Sequence, residues 1–351
     1  MQSDDHNLLY QRIAERLREQ IRDGVYQVGA KIPSEEMLAK ELDVSRPTIK
    51  SAVTILVDEG ILATRPAVGS FVVKLPGAHG LVGYVTPSLQ DPFHAEMVRE
   101  LDRLCAAAQY GFLVTESGET LQDEQNAAGR MTQSGAGGVI ISRSLRLIND
   151  PAAASYSIPA VYCGGVPSCT CDKVSLDKTR EMELVMEHLT AAGVKDFAFA
   201  STDYDSIDDN PRYRAYAGYL RSHGIAEKAG WRLETPERGE EGGRLLMQKL
   251  IAGKDLPRAV VCYNDWTAYG VVREALSHGI RIPEDIMVTG FDDLLVSRYF
   301  LVPLTTVNYR IPNLASEAFG LLARRIKNPK GEPESIIGQG ELVVRRSTTG
   351  V

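Results

Sequence analysis

The sequence predicts an α/β chain in two parts: a small helical head closed by a β-hairpin, and a large, doubly wound part with two lobes. Residues 32–60, IPSEEMLAKELDVSRPTIKSAVTILVDEG, read as two helices about a short turn. Residues 61–73, ILATRPAVGSFVV, hold two short apolar runs around Pro66 and Gly69. From residue 81 onward, short continuous apolar runs alternate with helical stretches, the rhythm of parallel sheets covered on both faces.

The head begins with a polar stretch at 1–7 that is expected to fray, followed by a helix from Leu8 to Asp23 with Leu9, Ile13, Leu17 and Ile21 four residues apart. Gly24 stops it. Ser34 is a good N-cap for the next helix, in which Met37, Leu38 and Leu42 supply an apolar face. Asp43-Val44 breaks that run. Ser45 then caps a second helix with Pro47 in its first turn, where a missing N–H costs nothing. Ile49, Ala52, Val53, Leu56 and Val57 face one side, while Arg46, Thr48, Lys50 and Ser51 lie near the N-terminal end. Such side chains can donate to phosphates and base edges, so the pair suits a helix-turn-helix whose second helix enters the major groove. An ordinary helical hairpin with surface hydroxyls and cations is the plain alternative. The apolar runs Ile61-Leu62 and Ser70–Val73 predict a hairpin that would serve as the wing. There Arg65 could reach a phosphate, or could simply be solvated.

At 351 residues the chain has room for two or three domains, and its 44% hydrophobic and 24% charged content is that of an ordinary globular protein. A net charge of −7 excludes a wholly basic nucleic-acid coat but not a local patch. Residues 1–74 hold 10 Lys and Arg against 11 Asp and Glu, so a basic face must come from placement. The five cysteines lack regular spacing, and Cys169-Thr-Cys171, the close pair, has no His nearby, so neither a disulfide framework nor a metal site is expected. No apolar run reaches about 18 residues, and a cytoplasmic location is expected. GxSxG, P-loop and HExxH patterns are missing, and no catalytic residue or cofactor is expected.

Residues 74–80, KLPGAHG, read as a linker. In the large part the strands are LVGYVTP, GFLVTES, GGVIISR, IPAVYCG, VSLD, FAFAS, WRLET, AVVCYND, IMVTGFDD and PLTTVNY. Ligands in such folds sit beyond the carboxyl ends of strands. That rule selects Pro92-Phe93-His94, Ser142-Arg143, Gly164, Arg212, Asn264-Asp265, Asp292-Asp293 and Tyr309. Asp and Asn suit vicinal hydroxyls, Arg offers a planar fork, and Phe93, Trp266 or Tyr309 could cover a sugar ring. Each also has a plain reading: Asp265 as a helix N-cap, Arg212 as a solvated residue, His94 as a surface residue at a helix start, Trp266 as core.

Residues 9–73 resemble the DNA-binding domain of the GntR family through LYQRIAERLREQI, GVYQVGAKIPSEEMLA, VSRPTIKSAV, EGIL and VGSFV. The resemblance implies a winged helix-turn-helix with Glu35, Ser45, Arg46, Thr48, Lys50, Arg65 and Gly69 at the DNA. It departs from the family at Glu36, Pro47 and the wing. Residues 81–351 resemble the effector domain of the LacI family, whose fold is periplasmic-binding-protein-like. VGYVTPSLQDPFHAEMVREL, RYRAYAGYLRSHGI and CYNDWTAYGVVREALSHGIRIPEDIMVTGFDD carry that resemblance. It implies effector contacts at Phe93, His94, Arg143, Arg212, Asn264, Asp292 and Tyr309, with Arg238 where the family often has an aromatic. It also implies three passages of the chain between lobes, near 172–175, 298–304 and 333–337.

Together these expectations describe a one-component regulator of the arabinose-repressor type. Residues 1–73 bind operator double-stranded DNA, 74–80 link, and 81–351 bind a small carbohydrate effector and form a homodimer, with no membrane partner. A GntR-headed pyridoxal-phosphate enzyme and a plain sugar-binding protein are the alternatives.

Overall fold

The computed structural model describes residues 3–66, 68–73, 80–144, 147, 156–164, 170–202 and 206–350. Apart from Gly80, the expected linker lies outside the described residues, as does Cys169. The chain divides into two compact units, Met1–Gly80 with Ala108–Gly111, and Leu81–Ala107 with Phe112–Val351.

In the first unit, α1 (Ser3–Arg22) packs on α3 (Arg46–Asp58), with α2 (Glu35–Glu41) beside it. Ile13, Leu17 and Ile21 form one buried stripe and meet Ile49, Ala52, Val53 and Leu56. The helix starts at Ser3, ahead of the expected Leu8, because nothing in the polar stretch breaks it. Met37 is not part of the core: it is 62% exposed, and in so short a helix Leu38 is the buried residue. The hairpin pairs β1 (Leu62–Arg65) with β2 (Gly69–Val72) antiparallel, in the register Leu62 to Val72.

Among the described residues, the second unit holds two six-stranded sheets. The first has the order β13-β7-β6-β5-β3-β4: β3 (Leu81–Thr86), β4 (Gly111–Glu116), β5 (Ala136–Ile141), β6 (Ala160–Cys163), β7 (Lys173–Leu176) and β13 (Ser335–Gly338). The second has the order β14-β12-β11-β10-β8-β9: β8 (Phe197–Thr202), β9 (Arg232–Thr235), β10 (Ala259–Cys262), β11 (Met287–Asp292), β12 (Thr305–Asn308) and β14 (Glu341–Val343). Its strands pair parallel except for β14, which runs antiparallel to β12. This is the two-lobed, doubly wound α/β fold that the alternation predicts.

Period-two burial explains the layers. On β8, Ala198 and Ala200 enter the core under α8 (Gly239–Gly253) and α9 (Asp265–Ser277), while Phe197 and Phe199 enter the core under α6 (Lys178–Ala191) and α7 (Pro211–Ser222). In the first lobe, Val139 packs with residues of α5 (Leu121–Gln133), and neighbouring Gly138 faces α10 (Ile311–Lys327), which also packs on α4 (Pro92–Ala107).

The chain passes between the lobes after β7 at Asp177, after β12 at Tyr309 and Arg310, and between β13 and β14 at 339–340. Each passage falls later than expected from 172–175, 298–304 and 333–337, because each strand completes its pairing before the chain leaves the sheet. Arg310 turns with φ 53° at the second passage.

Candidate functional site

In the first unit the candidate surface is built by two caps. Ser34 Oγ accepts from the Met37 N–H at 3.2 Å and starts α2. Ser45 Oγ accepts from the Thr48 N–H at 3.4 Å, and its hydroxyl pairs with that of Thr48 at 2.7 Å. With α3 so anchored, Arg46, Lys50 and Ser51 are exposed. Thr48 departs from expectation: it is 3% exposed and its hydroxyl serves the cap, so it positions the helix start rather than facing outward. Arg46 Nε reaches Glu35 at 3.2 Å, an exposed pair that tethers one helix start to the other. At the wing, the Arg65 guanidinium lies 4.8 Å from the centre of the Phe71 ring, which steers an otherwise loose cation. Gly69 has φ 129°, and a Cβ there would collide with the Lys31 side chain. Lys31, which bridges to Phe71, is therefore a wing cation that the sequence reading missed.

In the second unit, strand ends and helix starts converge on one cleft of about 910 Å³, counting its open mouth. Phe93, His94, Arg143, Arg212, Arg238, Asn264, Asp292 and Tyr309 all line it, although they are spread over more than half the chain. Their settings differ. Asp91 Oδ1 accepts from the Phe93 N–H at 2.9 Å and fixes the start of α4, placing the Phe93 ring edge-on to His94 at 5.3 Å. His94 Nδ1 pairs with the Tyr84 hydroxyl at 3.0 Å, and burial, with Arg238 adding, pushes its pKa down. It is a buried neutral imidazole, not a surface residue at a helix start.

Arg143 lines the cleft with its charge already matched. Its Nε and Nη2 donate to Glu124 at 3.0 and 2.9 Å, and its guanidinium stacks on Tyr162 at 5.1 Å. Tyr156 donates to the same carboxylate at 2.7 Å. Arg143 was expected to contact the effector; it lines the cleft, with its Nε and Nη2 turned to Glu124.

Arg212 is placed by Asn210, which caps α7, and is 4% exposed, not solvated. It donates to the Tyr263 carbonyl at 3.0 Å and to the Tyr309 hydroxyl, while its Nε has no partner. Asp292 Oδ1 stands 3.9 Å away, too far for a hydrogen bond. Burial pushes the Asp292 carboxyl well above its ordinary value, against the pull of Arg212. Asp292 and Asp293 turn with φ 119° and 48°.

Arg238 pairs with Glu119 of the other lobe rather than standing open. The following Gly239, with φ 56°, permits the approach of Trp266, whose ring a Cβ would strike. Asn264, not Asp265, is the N-cap of α9; its Oδ1 accepts from the Thr267 N–H at 2.8 Å. Asp265 is instead fully buried, accepting from Leu294, Ser297 and Thr306, and burial raises its pKa to about 7. Lys178, the first residue of α6, lines the cleft and was also missed. The strand-end rule applied to VSLD would have found it.

The gntR family model of bacterial regulatory proteins matches residues 9–72, and a periplasmic binding protein-like domain model matches residues 186–348. The PurR repressor of Mannheimia succiniciproducens is 27% identical over 269 residues, 76% of this chain and 80% of the relative. The ribose operon repressor of Haemophilus influenzae is 26% identical over 268 residues, again 76% and 80%. A dimeric Lac repressor structure covers 76% of this chain and 98% of its own, with a TM-score of 0.69 at 20% identity, a likeness of fold. The chain joins a GntR-family winged helix-turn-helix to a periplasmic-binding-protein-like effector domain, the architecture of a ligand-responsive transcriptional regulator. Among the described residues, no helix is long and apolar enough to cross a membrane.

Proposed function

We propose that the protein represses carbohydrate-metabolism genes, binding operator double-stranded DNA as a homodimer in the cytoplasm, and that a sugar or sugar-derived effector releases it. Residues 1–73 are the DNA-binding domain, 74–80 the linker, and 81–351 the effector-binding and dimerisation domain. It acts as a regulator without catalysis. The observation that carries this reading is the presence in one chain of a capped, cation-bearing helix start and a two-lobed cleft lined by Arg212, Asn264 and Asp292. Arg46 reads base edges; Lys50, Ser45, Arg65 and the wing backbone at Gly69 meet the phosphates, and Glu35 holds Arg46 in place. Thr48 contributes through the cap. The effector sits against Phe93 and Tyr309 and changes DNA affinity because it binds the two states of the dimer unequally.

Repression and a carbohydrate-type effector are supported by the names of the relatives, the ribose operon repressor among them. Dimerisation is supported by an apolar segment of the second lobe that is exposed among the described residues: Leu295, Val296, Leu301 at 64% exposure and Tyr299 at 81%. A palindromic operator needs two heads, and the similar Lac repressor structure is of a dimer.

Sedimentation of the full chain, with mobility shifts on DNA selected from a random library, tests the reading. The wild type should run as a dimer and shift a palindromic sequence, and a sugar from a thermal-shift panel should release it. The Tyr299→Glu, Leu301→Glu double variant should run as a monomer and bind DNA at least tenfold more weakly (~1.4 kcal/mol). A monomeric wild type, or one indifferent to DNA at low salt, contradicts the proposal.

A further inference from the structure

The second-lobe wall of the cleft holds two cations whose donors are not used up. We infer that the effector is an acidic sugar derivative, a polyhydroxylated molecule bearing a carboxylate or a phosphate, and that Lys178 and Arg212 clasp its anionic group beside Tyr309. The inference rests on the reading of the cleft as a carbohydrate-effector site.

Lys178 follows Asp177, which caps α6 by accepting from the Arg180 N–H. This places its ammonium beyond the carboxyl end of β7, inside the cleft. The Nζ lies 5.0 Å from the centre of the Tyr309 ring, and the Arg212 guanidinium carbon lies 5.6 Å from the same centre. Two positive charges therefore lie near one ring, in a place largely shielded from water.

Their carboxylate neighbours stand back. Glu181 Oε2 is 3.7 Å from Lys178 Nζ, and Asp292 Oδ1 is 3.9 Å from Arg212. Arg212 gives its hydrogen bonds to neutral oxygens of Tyr263 and Tyr309, and its buried Nε has none. The other two cleft arginines are committed, Arg143 to Glu124 and Arg238 to Glu119. A neutral polyol can satisfy Asp292 and Asn264, but it brings no charge to Lys178 and Arg212, which repel each other against the pull of Glu181 and Asp292. A carboxylate or phosphate lodged between them accepts from both and cancels that repulsion. The first turns of α6, α7 and α9 carry Lys178, Arg212 and the capping Asn264, so three helix N-termini add positive potential at the same end of the cleft. Asp292, which burial makes reluctant to ionise, is left for the hydroxyls.

The groups that face Lys178 are Glu181 on its own helix, Arg212 on α7, Asp292 on β11 and Tyr309 after β12. Burial first, then Arg212, push the ammonium down to about 8, with Glu181 and Asp292 opposing. Affinity for an anion should therefore fall as pH rises through that value, because the bound anion favours the protonated lysine.

Calorimetry on the full chain tests this with matched ligands: D-glucose, D-gluconate, D-glucuronate and D-glucose 6-phosphate, and the corresponding set from D-arabinose. An acid or a phosphate should bind about 30-fold more tightly than its neutral parent, as hydrogen bonds to charged groups require. The two acidic arms tell carboxylate from phosphate. Lys178→Gln should erase most of that preference, and Lys178→Arg should keep it. Wild-type affinity should drop about tenfold between pH 7 and pH 9, as one titrating lysine dictates, while that of Lys178→Arg stays level. A neutral sugar that binds as tightly as its acid, or a preference untouched in Lys178→Gln, overturns the acidic effector but leaves a sugar-responsive regulator standing. Failure of every sugar, acid and phosphate to bind overturns both.

Discussion

The two walls of the cleft place the same residue type in opposite circumstances. On the first-lobe wall, Arg143 and Glu124 have side chains 0% and 1% exposed, joined by two short bonds and flanked by Tyr156 and Tyr162. On the second-lobe wall, Arg212 is equally hidden yet has an Nε with no partner and a carboxylate at 3.9 Å. A matched buried pair is rigid and has little left to offer a ligand, whereas an unmatched one gains free energy when a ligand completes it. The first wall is a frame, and the second is the wall assigned, as a proposal, to the ligand.

Mutations can break or sharpen that contrast. The largest effect belongs to Glu124→Ala. It removes the carboxylate that matches the buried Arg143 charge and should cost about 3–5 kcal/mol in urea unfolding; a loss under about 1 kcal/mol would make the first wall no frame at all. Arg212→Met should behave in the reverse manner. Ligand affinity falls about 100-fold by calorimetry, roughly 3 kcal/mol, while unfolding stability holds or rises because a poorly matched charge is gone. If stability collapsed and ligand affinity survived, the roles of the two arginines would have to be exchanged. The smallest effect lies in the head, where the functional cations are exposed and each is worth little. Lys50→Ala should weaken DNA binding uniformly and lower the slope of log affinity against log salt by about one; an unchanged slope removes Lys50 from the phosphate contacts.

The fold was legible because periodicity reports burial directly. Alternation on FAFAS sends Phe197 and Phe199 to one core and Ala198 and Ala200 to the other. Serine caps before apolar stripes announced α2 and α3. The edge strands β13 and β14 escaped because four and three residues carry no period, and their pairing partners are far away in sequence. At the cleft, the strand-end rule found seven of the eight named positions, and the family resemblance added Arg238. The rule could not show which charges are already matched, since Glu124 reaches Arg143 from the first turn of α5, 19 residues away. For the same reason the acceptor in Asn264-Asp265 was misassigned: the cap is Asn264, and Asp265 turns inward to partners 29 to 41 residues away. Thr48 was read by its hydroxyl, but the hydroxyl of Ser45 already engages it.

Whether a ligand held by the second-lobe wall governs the grip on DNA can be decided by one binding measurement. Fluorescence anisotropy of a labelled, protein-selected DNA duplex, titrated with the ligand from the thermal-shift panel, tests it in the wild type and in Asp292→Ala. The ligand should release the wild-type protein, whereas Asp292→Ala should bind the duplex as tightly as the wild type but stay bound at every ligand concentration. Release of Asp292→Ala at the wild-type ligand concentration would contradict this.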